Sequence, residues 1–135
     1  MKEIKLITFD LDDTLWDNVP IIKRAEIDTR RWIEDRVGKI EWGDFNDFLK
    51  LREDLIKEDP VIEWDISKLR KEIFRKKLAH VEPLTLRNEL VDEAFSIFIS
   101  KRHEIELFNG VEDALKMLSK KYILGVLTNG NADVY

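Results

Sequence analysis

Cysteine and glutamine are missing from the 135 residues, and there are only two histidines, three prolines and five glycines. Without cysteine the chain has neither a disulfide nor a thiolate metal site, so nothing in it requires an oxidising compartment. No apolar run approaches the roughly 20 residues that a membrane-spanning helix needs, and the N-terminus MKEIKLITF has no signal-peptide core. We therefore expect a cytoplasmic protein with no membrane partner.

The chain also lacks an excess of positive charge. The chain has 23 basic against 28 acidic residues, a formal net charge of -5. Such a chain has no basic field that would attract a polyanionic backbone, so nucleic acid is not expected as a partner. The 44% of apolar residues is enough for a globular core. The high charged fraction of 38%, together with the missing cysteine and glutamine, is a bias typical of proteins from thermophiles.

Two apolar segments have the pattern of strands. Residues 4–9 form a short β-prone run that stops at Asp10, and residues 122–127 form a second run followed by the polar turn TNGN. Nearly continuous apolar character predicts strands that are buried on both faces of a parallel sheet. The residues between the two runs show no convincing strand.

Helical patterns fill the segment between the two strands. Five helices are predicted from apolar spacing and terminal residues, the first ending at Gly38 and the second before Pro60. A strand, a crossover and a parallel strand make the basic α/β unit, so we predict a small doubly wound parallel sheet with a helical insertion. The expected N-terminal signals of the helices are Asn18, Asp44, Asp65, Thr85 and Asn109, the last with Glu112 as a capping-box partner.

The stretch FDLDDTLWDN places three carboxylates, Asp10, Asp12 and Asp13, directly after the first strand. Ligands of such sheets bind at the carboxyl ends of the strands, where Asp10, Asp12 and Thr128 should meet. Carboxylates this close repel one another, and a bound cation makes the ionised cluster favourable by balancing its charge. Mg²⁺ prefers such hard oxygen ligands. A bound Mg²⁺ would also neutralise an incoming phosphate. The sequence therefore indicates phosphate chemistry on a metal.

Other interpretations of these residues are weaker. A calcium-binding EF-hand loop needs Gly at its sixth and Glu at its twelfth position, where Leu15 and Ile21 stand. The histidines, His80 and His103, have no second ligand at metal-binding spacing and are assigned no role. Trp16 follows the carboxylates directly, so it could flank an aromatic substrate.

The apolar run followed by Asp10-Leu11-Asp12-Asp13-Thr14 resembles the first motif of the haloacid dehalogenase (HAD) superfamily. The resemblance implies that Asp10 is a nucleophile that becomes an aspartyl phosphate and that Asp12 is the general acid and base. It also implies that Mg²⁺ is held by the Asp10 carboxylate and the main-chain carbonyl of Asp12. Dehalogenating members lack this second Asp, so its presence favours phosphoryl transfer.

The segment YILGVLTNG resembles the second motif of the superfamily, an apolar strand that ends in Ser or Thr. By that resemblance the Thr128 hydroxyl and the Asn129 backbone N–H hold the phosphoryl oxygens. The implied fold is a HAD-type Rossmann-like parallel sheet, from residues 1–18 and 107–135, with a helical cap inserted at 19–106. Softer motifs, FDLDDTLWDN followed by VPIIKRAE, then EDPVIEWDISKLR and LTNGN, resemble the branch of bacterial and archaeal phosphatases that act on flavin mononucleotide and a phosphorylated ribitylamino-uracil.

Two further motifs expected by the resemblance, a Lys and a second acidic pair, have no match between Thr128 and Tyr135. We therefore expect an incomplete core with an exposed sheet edge, through which the chain could form a homo-oligomer. Two hypotheses stay open. The chain is part of a Mg²⁺-dependent phosphatase of a small phosphorylated metabolite and has little activity alone, or it is a non-catalytic interaction module. A phosphotransferase or mutase would share the same residues.

Overall fold

The structure is a computed structural model that describes residues 3–131. Within that range the chain runs from one strand through five α-helices to a second strand, the order that the sequence predicts. No helix of residues 3–131 combines the length and apolarity needed to cross a bilayer. The elements are β1 (Leu6–Phe9), α1 (Asn18–Val37), α2 (Phe45–Glu58), α3 (Ile66–Lys77), α4 (Leu84–Arg102), α5 (Val111–Leu118) and β2 (Ile123–Val126), with a 3-10 turn (Pro60–Trp64) between α2 and α3.

Strands β1 and β2 pair in parallel, which confirms the predicted α/β unit. The register runs from Leu6 opposite Ile123 to Phe9 opposite Val126. One further hydrogen bond, from Leu127 N–H to the Phe9 carbonyl at 2.9 Å, extends the pairing past the strand ends. Because the strands end side by side, the residues that follow them leave the sheet at one edge.

The expectation that both strands are buried on both faces is wrong for the described residues. Leu6 is 54% exposed and Ile123 is 69% exposed. Among the described residues, helices α1 to α4 pack mainly on one another, chiefly α1 on α4 and α3 on α4. The two strands therefore present apolar side chains that the rest of residues 3–131 does not cover.

Helix α1 begins one residue earlier than predicted. Asp17 is its N-cap and accepts a hydrogen bond from Val19 N–H, whereas Asn18 is the first helical residue. The helix ends at Gly38, as predicted, where a φ of 83° favours glycine. Its buried residues recur every four positions, Ile21, Ala25, Thr29 and Ile33, which is one face of a helix.

The predicted starts of the other helices are correct where a side chain caps the helix. Asp44 and Asp65 cap α2 and α3, and Asp44 forms a capping box with Asp47. Helix α4 begins at Leu84, slightly before the predicted start after Thr85. The capping box predicted for Asn109 is wrong, because the N-cap of α5 is Gly110 with φ 84° and no side-chain cap bond.

The helical cap, α1 to α4, has its own apolar core. The largest cluster joins α1, α3 and α4 and includes the fully buried Phe74. A second cluster packs α2 against α3 and the 3-10 turn, and a third lies under the loop after β1, around Leu11, Trp16 and Ile21. The members of the largest cluster are Ile33, Ile40, Phe74, Leu78, Val81, Leu90, Val91 and Ala94.

An ion pair on the surface of the cap should make its stability depend on pH. Lys68 Nζ lies 2.7 Å from Asp59 Oδ2, and this hydrogen bond lowers the pKa of Asp59 from its ordinary 3.8. A lowered pKa in the folded state means that the stabilisation is complete above pH 3.8 and is lost as the pH falls further. We expect Asp59→Asn to lower the free energy of unfolding at pH 7, with the difference from the unmodified protein shrinking below pH 3.8.

Urea unfolding at pH 7 and pH 3 measures this difference, with Glu53→Gln on the exposed face of α2 as the control for removing one negative charge. Asparagine keeps an oxygen that can accept from Val61 N–H, so the cap of the 3-10 turn is preserved. A difference that grows towards pH 3 would contradict the prediction.

Candidate active site

The loop that follows β1 is held by its own hydrogen bonds. Asp13 N–H donates to the Trp16 carbonyl at 2.8 Å and Leu15 N–H to the Leu11 carbonyl at 2.9 Å. Asp13 has φ 59°, a left-handed conformation that Asp tolerates better than most residues, and its side chain accepts from Asn18 N–H at 2.9 Å. The tight turn sends the chain from the sheet directly into α1, and it leaves Asp10 exposed at the sheet edge.

Asp10 and Asp12 have different surroundings. Asp10 Oδ1 accepts a hydrogen bond from its neighbour Leu11 N–H at 2.8 Å, which orients an otherwise exposed carboxylate. Both oxygens of Asp12 accept hydrogen bonds from buried side chains, Oδ1 from Trp16 Nε1 at 3.1 Å and Oδ2 from Arg102 Nη2 at 2.5 Å. Asp10 is thus the accessible carboxylate and Asp12 the fixed one.

The turn after β2 faces this pair. Thr128 Oγ1 accepts a hydrogen bond from Gly130 N–H at 3.1 Å. A Cβ added to Gly130 would lie 3.0 Å from Asp12 Oδ2 and 3.1 Å from Arg102 Nη2, so a larger residue here would push against the Asp12–Arg102 pair. Asn131 reaches the cap, where its Nδ2 donates to Ser67 Oγ at 3.2 Å. The sheet edge and the cap therefore enclose one space.

That space is a cavity of about 360 Å³ between the sheet edge and helices α1, α3 and α4. Four of the residues predicted from sequence line it together, although they come from opposite ends of the chain. Its lining consists of Asp10, Asp12, Asp13, Ile22, Ile66, Arg70, Phe98, Arg102, Thr128, Asn129, Gly130 and Asn131. A larger cavity of about 660 Å³ lies where the cap returns to the sheet, and none of the three aspartates lines it.

Two arginines from the cap oppose the three carboxylates of the cavity. The Arg70 guanidinium lies over the Phe98 ring, 3.7 Å from its centroid, and is paired with Glu26. Burial lowers the pKa of Arg70 from its ordinary value, the Glu26 carboxylate opposes that shift, and the nearby Arg30 and Arg102 charges add to it. Because the Arg70 charge is already paired with Glu26, the Asp10 and Asp13 carboxylates exceed the one remaining guanidinium, that of Arg102, even when Asp12 carries a proton.

Sequence reasoning missed Arg70 and Arg102, although a signal for each exists. Ala94, Phe98 and Arg102 follow one another at intervals of four on the buried face of α4. Arg70 lies four residues before the buried Phe74 on α3. A basic residue that continues an apolar stripe is expected to be buried with a partner. Trp16 differs from the expectation, since it is 5% exposed within the Leu11–Ile21 cluster and does not line the cavity.

The donors present suit magnesium better than a metal that needs a full protein cage. Residues 3–131 contain no group of three or more His, Cys, Asp or Glu side chains arranged to hold a metal ion. Mg²⁺ keeps several waters and needs only one or two carboxylates from the protein. The exposed Asp10 carboxylate and the main-chain carbonyl of Asp12, both hard oxygens, fit that requirement. The Asp12 carboxylate is occupied by Trp16 and Arg102.

Comparison with known proteins identifies the family of the chain. The sequence model of the haloacid dehalogenase-like hydrolase family matches residues 4–135, almost the whole chain. The chain belongs to this family of hydrolases. The parallel strand pair with its inserted helices, and the similar crystal structure described next, confirm the predicted HAD-type Rossmann-like fold with a helical cap. Asp10 and Thr128 follow the carboxyl ends of the two strands, as the sequence predicts.

Two relatives are similar to this HAD-like chain over nearly all its length. One is the 5-amino-6-(5-phospho-D-ribitylamino)uracil phosphatase YigB of Escherichia coli K12, 31% identical over 140 residues. The other is a crystal structure named 2-haloacid dehalogenase, from Pseudomonas syringae pv. tomato DC3000, 39% identical with a TM-score of 0.87. The chain is covered to 98% in both comparisons, but it spans only 56% of the first relative and 58% of the second.

Proposed function

We propose that this HAD-like hydrolase is a magnesium-dependent phosphatase that hydrolyses a small phosphomonoester, such as flavin mononucleotide, a nucleotide or a sugar phosphate, through an aspartyl phosphate. The observation that carries the proposal is the pair of unlike carboxylates in one cavity. Asp10 is exposed, as a nucleophile must be, and Asp12 is held by two donors, as a proton-transferring group should be.

In the first step an oxygen of the Asp10 carboxylate attacks the phosphorus atom, and the bond between phosphorus and the ester oxygen breaks. The leaving alkoxide takes a proton from the Asp12 carboxyl group. In the second step Asp12 takes a proton from a water molecule, which attacks the phosphoryl group. The bond to Asp10 breaks, inorganic phosphate leaves, and both aspartates return to their starting state.

Charge in the cavity supports the participation of Mg²⁺. A phosphate dianion would enter a space in which the Asp10 and Asp13 carboxylates exceed the one guanidinium, that of Arg102, that is not paired with Glu26. A bound Mg²⁺, held by Asp10 and the Asp12 carbonyl, would supply the positive charge that reverses this repulsion. Thr128 and the Asn129 backbone N–H, at the same edge, are the donors that we assign to the phosphoryl oxygens.

The acid group separates this proposal from halide displacement, the reaction in the name of the crystallographic relative. A halide leaves without a proton, whereas an alkoxide needs one, so a fixed acid beside the nucleophile is useful only for an ester. The substrate class comes from the other relative, whose name specifies a phosphorylated ribitylamino-uracil. The cavity volume of about 360 Å³ is in the range of sites for small molecules.

The test uses the protein as its source cell makes it. We expect it to release inorganic phosphate from flavin mononucleotide, the ribitylamino-uracil phosphate or a nucleoside monophosphate when Mg²⁺ is present, and to release no halide from a 2-haloacid. Acid quenching during turnover should trap one phosphoryl group on the peptide that contains Asp10, as measured by mass spectrometry. Halide release without phosphate release, or phosphate release that survives removal of Mg²⁺ by a chelator, would contradict the proposal.

A further inference from the structure

The Asp12 carboxylate is held at both of its oxygens by groups from different parts of the fold. Trp16 belongs to the loop after β1 and donates its indole N–H to Oδ1 at 3.1 Å. Arg102 is the last residue of α4, ninety positions away in the chain, and donates to Oδ2 at 2.5 Å. We propose that Trp16 and Arg102 are positioning residues that aim Asp12 at the leaving-group oxygen, an inference that rests on the phosphatase function proposed above.

Burial makes both contacts specific. Trp16 is 5% exposed and Arg102 is 4% exposed. Neither donor can exchange its hydrogen bond to Asp12 for one to bulk water unless its side chain moves. A buried guanidinium is stable only when paired, and Asp12 is the carboxylate that pairs with it. The second terminal nitrogen, Nη1, is also buried, and it has no hydrogen-bond partner among the described residues. Arg102 therefore depends on Asp12 as much as Asp12 depends on Arg102.

The two bonds leave Asp12 free to transfer a proton. The Asp12 carboxyl group has about four lone-pair sites, of which Trp16 and Arg102 use two, so one of the others can carry the proton that the leaving alkoxide takes. The remaining sites belong to a side chain that lines the cavity. Fixing the carboxylate plane aligns these sites with the reacting atoms, and misplacement of a reacting group by about 1 Å can cost about a hundredfold in rate.

Arg102 also ties Asp12 to the cap. Helix α4 ends at Arg102, and the chain then returns to the loop after β1, where Phe108 N–H donates to the Leu15 carbonyl at 2.9 Å. Gly130 closes the arrangement from the β2 side, since a Cβ there would lie 3.1 Å from Arg102 Nη2. Asp12, the proton-transferring group, is thus oriented by a residue of the cap, Arg102, at the place where the cap meets the residues that follow β2.

The experiment compares two phosphate esters, one whose leaving group needs a proton from Asp12 and one whose leaving group does not. Arg102→Met removes the donor and its charge, Arg102→Lys keeps the charge, and Trp16→Phe removes the indole N–H together with part of the buried ring. Lys101→Met is the matched control, because it removes a positive charge from the adjacent residue, which is paired with Glu104 on the surface. Each variant is made in the protein as its source cell produces it, and stopped-flow kinetics compare an alkyl phosphate with p-nitrophenyl phosphate.

We expect Arg102→Met to slow phosphorylation by the alkyl phosphate about a hundredfold or more, the lower range for loss of a general acid. The p-nitrophenolate burst should keep nearly its normal rate, because that leaving group departs as a stable anion, while later turnover slows. Trp16→Phe should show the same pattern with a smaller loss, and Arg102→Lys should recover part of the rate. Lys101→Met should change neither substrate.

A second measurement does not depend on activity. The indole N–H resonance of Trp16, assigned by its absence in Trp16→Phe, should shift in Arg102→Met and Arg102→Lys but not in Lys101→Met, because Trp16 and Arg102 share one carboxylate. Equal losses with both esters, or an unchanged Trp16 resonance in both Arg102 variants, would overturn the positioning role. Should Arg102→Met fail to fold, Arg102→Lys and Trp16→Phe still decide the question. Full activity in Asp10→Asn would instead reject the phosphatase mechanism itself.

Discussion

Asp10→Asn should reduce phosphatase activity of the protein by a factor on the order of 10⁴ or more, the scale seen when a covalent nucleophile is removed. The amide cannot form the acyl phosphate, whereas its oxygen can still accept the hydrogen bond from Leu11 N–H that orients the side chain. The substitution therefore changes the chemistry while preserving the shape of the loop. Steady-state release of inorganic phosphate from flavin mononucleotide with saturating Mg²⁺ measures the loss.

The matched control is Asp113→Asn, the same chemical change on an exposed carboxylate in the first turn of α5. It should leave the rate unchanged, because Asp113 does not line the cavity with Asp10. An Asp10→Asn protein that hydrolysed the ester at the normal rate would remove Asp10 from the reaction. Thermal unfolding of both variants, with unchanged midpoints, would show that loss of activity is not loss of fold.

Local features of this fold were predictable because the residues that cause them are adjacent in sequence. Asp44 and Asp65 cap α2 and α3, since each side chain only has to reach an N–H two or three residues ahead. Gly38 ends α1 for an equally local reason, its positive φ. The failure at Asn109 is also local: the neighbouring Gly110 adopts φ 84° and takes the capping position without a side-chain bond.

Contacts between distant residues were not predictable in the same way. The pairing of Asp12 with Arg102 spans ninety positions, and only the path of α4 brings Arg102 to the sheet edge. Trp16 was predicted to flank the substrate because it follows the aspartates directly in sequence. The turn at Asp13 instead rotates its ring into the core, so that only its N–H meets Asp12. Position in a motif indicated the site but not which group each side chain contacts.

The exposed sheet and the buried cap show that composition alone does not locate the core. Strand residues such as Leu6 and Ile123 are as apolar as those of the cap, yet they are largely exposed in residues 3–131. The largest cluster of buried apolar residues lies among α1, α3 and α4 instead. We infer that within the described residues the cap helices carry most of the stability of the chain.

Phe74→Ala should test where that stability lies. Phe74 is fully buried in the cluster shared by α1, α3 and α4. Truncating a buried phenylalanine removes its transfer free energy and leaves a cavity, which together destabilise proteins by about 3–5 kcal/mol. We expect a loss of that size in the free energy of unfolding, measured by urea titration and followed by helical circular dichroism.

Phe45→Ala is the matched control, since the same side chain is removed at a position that is 70% exposed, where it stacks on Phe48. Its cost should stay within about 0.5 kcal/mol, as for most surface substitutions. The contrast between the two phenylalanines tests the cap core directly, because both changes remove the same atoms and differ only in burial. Equal losses would mean that the α1–α3–α4 cluster is not the main source of stability.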